Sequence, residues 1–142
     1  MSLRTLLISF TVALLTAVAS LVWVGLSGLA AVNSSAEEMA KNWLPSVSVV
    51  NAINTSTSDF RIYQAEHIIS VDEASMRAAE KMLADIKASI DSNTRKYEKL
   101  ISSSEEQGVY DGFKEKWDHY LKRSDEVVEL SRQNKNAEAT VI

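Results

Sequence analysis

Asn54, Thr57, Arg61 and Gln64 follow one another at alternating steps of three and four, the spacing that keeps side chains on one face of a helix. The same series runs through Val47, Val50, Ile68 and Val71. Four polar residues therefore interrupt what reads as an apolar seam. A guanidinium there needs an anion, a carboxylate on a neighbouring helix, water, or a route for its head to the surface. Its parallel N–H donors match the two oxygens of a carboxylate. Ser58 and Gln64 lie about one turn to either side of Arg61, and Asn54 about two turns back. Arg61, Asn54, Ser58 and Gln64 are thus the candidate ligand contacts. The alternatives are an internal ion pair for Arg61 and a register-setting role for Asn54 and Asn93.

Other chemistry finds little support. The two histidines, His67 and His119, lie in different segments without a Glu-x-x-His spacing, and read as exposed or helix-end residues rather than metal ligands. Cysteine is absent, which removes disulfides and thiolate chemistry. There is no glycine-rich phosphate loop and no nucleophile–base set at a turn. The expectation is a protein that is not an enzyme and takes no cofactor and no metal. Trp43, Phe60, Tyr63, Trp117 and Tyr120 read as core filling. After Arg4 the chain holds 14 basic against 19 acidic residues, a balance unsuited to nucleic acid.

Long helices must position these residues. Four Gly and one Pro in 142 residues leave few turn signals for an all-β fold. Heptad-like series continue through Met76, Ala79, Leu83, Ile86, Ile90, Asn93, Tyr97 and Leu100, then Tyr110, Phe113, Trp117, Tyr120, Ser124, Val127 and Ser131. Ser35, Ser70 and Ser103 each stand three residues before a glutamate, the form of a capping box. The second and third predict new helices, while an anchor running straight on as one rod is the alternative that leaves the first without a role. The spacing predicts helices over about 35–69, 71–102 and 104–133, a polar turn over 133–136, and the start of a fourth helix at 137. Pro45 falls inside the first and predicts a kink or a restart. Antiparallel packing of such helices in one chain is the expected architecture.

No charged side chain occurs between Arg4 and Glu37. A bilayer core of ~30 Å takes about 20 apolar residues in a helix, so this run predicts an uncleaved anchor over 5–32, longer than a signal-peptide core. Its Ser and Thr hydroxyls are tolerable because they can bond back to helix carbonyls. Arg4 at one end and Glu37 and Glu38 at the other favour a cytoplasmic 1–4 and an exported 33–142.

Several stretches together resemble the four-helix-bundle sensor domain of bacterial methyl-accepting chemotaxis receptors. They are Asn42-Trp43-Leu44-Pro45-Ser46-Val47 after the anchor; Ile53-Asn54 with Arg61 and Glu66-His67; Tyr97-Glu98-Lys99-Leu100-Ile101-Ser102 with Ser104-Glu105-Glu106; and Phe113-Lys114, Trp117 and Tyr120-Leu121. The resemblance implies an all-α fold, an inner-membrane location with the bundle in the periplasm, and a homodimer. It implies a small organic or amino acid ligand, or a periplasmic binding protein, with Arg61 at the subunit interface. The chain departs from that pattern by ending where the fourth helix begins, without the second membrane helix or signalling tip, and so reads as a fragment or truncated product with an open seam. The same module joined to a histidine kinase or cyclase, and a membrane-tethered helical adaptor, are the alternative readings.

Overall fold

A computed structural model describes residues 2–142. All of its regular structure is helical, as the composition predicts, and it divides into two units, 1–44 and 45–142.

In the first unit, α1 (Leu3–Glu38) begins at Ser2, whose side chain accepts from the Thr5 N–H. Its apolar residues are exposed all round, among them Leu7, Phe10, Leu21, Trp23 and Leu29. Water is a poor solvent for such a surface, whereas lipid suits it. Several hydroxyls inside this run bond back to the helix: Thr11 donates to the Leu7 carbonyl at 2.9 Å, Thr16 to Val12 at 2.8 Å and Ser20 to Thr16 at 2.8 Å. The helix is long and apolar enough to cross a bilayer, and its backbone bonds are made within the helix. Ser35 is an interior residue of α1 and starts no helix.

A π-helical turn, Met39–Trp43, follows, in which the Leu44 N–H reaches back to the Met39 carbonyl. Pro45 explains it. The proline ring cannot coexist with a close i−4 carbonyl, and one wider turn relieves that clash without ending the helix.

The second unit holds α2 (Leu44–Ile69), α3 (Glu73–Tyr97), α4 (Ser104–Arg132) and the short α5 (Asn136–Ala139). Contacts between α2 and α4 advance together along both helices, while α3 meets each in reverse order. The three long helices are therefore packed up, down, up. The core comprises Ile53 and Phe60 of α2, Met76, Ala79, Leu83 and Ile90 of α3, and Tyr110 and Val127 of α4. At its centre Phe60 meets Trp117 and Tyr120 edge-on, with ring centroids 5.4 and 6.0 Å away.

The seams expected for α3 and α4 are the buried ones, but that of α2 is displaced by one residue. Ile53, Phe60 and His67 face the core, seven apart, where Asn54, Arg61 and Ile68 were expected. Asn54 and Arg61 are exposed. The apolar residues of α2 are scattered round its circumference, so the 3–4 spacing alone fits two adjacent stripes equally well.

The helix ends also depart from the expected caps. Asp72, not Ser70, starts α3, accepting from the Ser75 N–H at 2.8 Å. Ser70 instead donates to the Glu66 carbonyl at the end of α2. Ser103 does cap α4, accepting from the Glu106 N–H at 3.1 Å. After α4, Lys135 N–H bonds the Leu130 carbonyl and Asn134 N–H the Ser131 carbonyl, with Asn134 at φ 57°. This is a Schellman turn in which asparagine takes the left-handed position usually held by glycine.

Candidate functional site

One side of the α2–α4 groove opens into a cavity of about 560 Å³. Arg61, Gln64 and Ile68 of α2 line it against Tyr120, Arg123 and Val127 of α4, and Ala139, Thr140 and Ile142 close one end. The positions on each helix differ by three or four residues, so consecutive turns present them to the same space. Ala139 is 3% exposed, and its burial seats α5 against the rest of this wall.

Two guanidinium groups reach this cavity. Arg61 is exposed and, among the described residues, has no hydrogen-bond or ion-pair partner; its charge acts on Tyr120. Arg123 donates through Nη2 to the Ile142 backbone oxygen at 3.0 Å, so an oxygen acceptor already occupies its fork. The Tyr120 hydroxyl donates to Gln64 Oε1 at 2.5 Å, which fixes both polar tips on the cavity wall. Burial pushes the Tyr120 hydroxyl above its ordinary range, opposed in part by the Arg61 cation. Tyr120 thus stays a neutral donor while the arginines supply positive charge. An anion with carboxylate geometry fits this set.

The four residues expected as ligand contacts separate. Arg61 and Gln64 share the cavity. Asn54 lines a second, mostly apolar hollow of about 260 Å³ beside Val50, Ile53, Tyr97, Val109 and Phe113. Ser58 lines neither and donates its hydroxyl to the Asn54 carbonyl at 3.0 Å. Arg123 and Tyr120 join Arg61 although the sequence pattern marked neither as a contact. Arg123 stands three residues after Tyr120, which is the signal that places it on the same wall.

A second polar cluster links three helices where α2 ends, α3 begins and α4 ends. His67 is fully buried rather than exposed, and it sits in the last turn of α2, the helix-end position that is the other expectation for it. Its Nδ1 lies 2.9 Å from Ser131 Oγ and its Nε2 3.0 Å from Glu80 Oε1. The same Glu80 oxygen accepts from Arg132 Nε at 2.7 Å. The Arg132 hydrogen bond, helped by His67, holds the Glu80 carboxyl down at about 2 against the opposing effect of burial. The order Ser131–His67–Glu80 is that of a hydrolytic triad. However, Ser131 and His67 are both 0% exposed, and Ser131 Oγ turns to the His67 carbonyl at 3.0 Å. A nucleophile needs an open approach for its substrate, and this oxygen has none.

Residues 1–142 match the family described as "Four helix bundle sensory module for signal transduction". No curated protein and no solved structure matches the chain.

Proposed function

Since the chain belongs to the four-helix-bundle sensory module family of methyl-accepting chemotaxis proteins, we propose that unit 45–142 is the ligand-sensing part of a transmembrane chemoreceptor. In this reading α1 spans the inner membrane, the helical unit lies in the periplasm, and two copies pair in the working receptor. The sensed molecule is a small organic acid or amino acid whose carboxylate is held by Arg61, with Arg123, Gln64 and Tyr120 as neighbours.

One observation carries the proposal: Arg61, free of any side-chain anion, shares a cavity with a second guanidinium and a fixed Tyr–Gln pair. Among the described residues Arg61 has no acidic partner, and an anionic ligand entering the cavity would supply one. Binding produces a signal only if the ligand prefers one arrangement of α2 and α4 over another. A carboxylate bridging guanidinium groups on these two helices has such a preference, because its bonds depend on their spacing.

Calorimetry of the detergent-solubilised full chain against a panel of amino acids and dicarboxylates tests this. For any ligand that binds, Arg61→Ala is expected to weaken affinity about tenfold or more, the worth of a charge-assisted hydrogen bond. Arg123→Ala should act in the same direction. Undiminished affinity in both variants would remove the cavity from consideration.

A further inference from the structure

We propose that the His67 cluster is a proton-responsive latch joining α2, α3 and α4, closed fully only while the imidazole carries a proton on each nitrogen. The inference comes from counting protons against acceptors and does not depend on the Arg61 cavity.

Ser131 has one hydroxyl proton. Its oxygen lies 3.0 Å from the His67 carbonyl, which sits in the last turn of α2, where carbonyls run out of helical N–H partners. A proton given to that carbonyl leaves Ser131 Oγ with lone pairs alone toward Nδ1, so Nδ1 must donate across the 2.9 Å contact. Glu80 is held ionised and can only accept, so Nε2 must donate as well. All three bonds therefore exist together only with an imidazolium.

Either neutral tautomer gives up one of them. If Nδ1 loses its proton, Ser131 must turn to it and abandon the α2 carbonyl. If Nε2 loses its proton, two lone pairs face each other between His67 and Glu80. Glu80 is the charged group that α3 presents to the ring. From α4 comes Arg132, bonded to Glu80 and 3.5 Å from Glu129. Two carboxylates against one guanidinium leave a net negative charge that the imidazolium cancels. The carbonyl end of α2 adds a further preference for a cation.

The sign follows. The closed cluster needs a proton on both ring nitrogens, so the contact is complete in acid and gives up one bond once a ring proton is lost. Its effect falls on the end of the unit where α2 and α4 terminate.

Hydrogen exchange of the full chain in detergent, corrected for intrinsic rates, reads this at pH 5 and pH 8, values that bracket ordinary histidine titration. Protection over residues 66–70 and 129–133 is expected to fall roughly three- to tenfold at pH 8, the worth of one hydrogen bond. Protection over 97–110, at the other end, should hold. Equal protection at both pH values, or an equal loss at both ends, would overturn the latch. In Ser131→Ala and His67→Gln the difference between the two pH values should vanish, and its persistence in both would overturn the assignment. Should His67→Gln fail to fold, ring-nitrogen NMR of the unsubstituted chain at pH 5 decides: two protonated nitrogens on His67 support the latch, and one refutes it.

Discussion

Tyr97 at the end of α3 donates its hydroxyl proton across 2.8 Å to Glu106 in the first turn of α4. Tyr110 of α4 answers with a 2.7 Å bond to Glu98 beyond the end of α3. The two rings are 5.5 Å apart, and Glu106 also accepts from the Ser102 N–H at 3.0 Å. This crossed pair fastens the α3–α4 turn. Burial and then the neighbouring carboxylate push both phenols up, so both stay protonated donors near neutrality. Tyr97→Phe and Tyr110→Phe should each lower stability by about 1–2 kcal/mol. Thermal melting of the detergent-solubilised chain checks it, and the double variant should lose less than the sum because the pairs share one turn.

Glu80 sets the acid limit of the unit. Its carboxyl is held at about 2 in the folded chain, below its ordinary 4.5, chiefly by the Arg132 hydrogen bond. A depressed acid contributes stability that is complete above its ordinary value and drains away as pH falls toward the folded one. The side chain is 26% exposed, so solvent screens it only in part. The contribution is of the order of 3 kcal/mol at neutral pH. Melting temperature should therefore decline between pH 4.5 and 2, and Glu80→Gln should start lower and show a flatter decline. Parallel declines in both proteins would place the acid limit elsewhere.

Phe60 is 4% exposed and packs edge-on against both Trp117 and Tyr120. Truncating it to alanine removes the ring that α4 packs on and leaves a cavity. A loss of about 3–5 kcal/mol is expected, with a change in near-ultraviolet circular dichroism as the Trp117–Tyr120 stack loosens. Phe60→Leu keeps most of the volume and should cost less than half as much.

How much of this was written in the sequence differs helix by helix. The apolar run of α1 is unbroken, so its length alone identifies it. In α3 the apolar positions fall on one stripe against charged neighbours, and the buried set Met76, Ala79, Leu83 and Ile90 lies on the expected series. In α2 the pattern is ambiguous, since Val47, Val50, Ile62 and Ile69 are exposed while Phe60 and His67 are buried. Only the tertiary contacts of Phe60 with Trp117 and Tyr120 decide which stripe turns inward. That one-residue difference moves Arg61 from a supposed seam to an open cavity, and brings His67 inside. The pairing of His67 with Ser131 was not legible either, because the two are 64 positions apart and bonds of that range have no local signature. The asparagine turn after α4 was legible as a polar break, though not as a Schellman turn.

Arg61 gives a last test, one that needs no ligand. Because it is exposed and unpaired, Arg61→Ala should change stability by no more than about 0.5 kcal/mol. A buried, paired arginine would cost several times that. Its charge, however, reaches Tyr120, where it opposes the upward push of burial. Removing the cation leaves the desolvation unopposed, so the Tyr120 hydroxyl should titrate at higher pH in the variant. Ring-carbon NMR resolves Tyr120 from the other three tyrosines and follows its titration directly. Lys122→Ala, an exposed cation on α4 that does not line this cavity, serves as the control and should leave Tyr120 unmoved. A Tyr120 titration unchanged by Arg61→Ala would mean that the guanidinium does not face this wall, and the proposed carboxylate site would lose its first member.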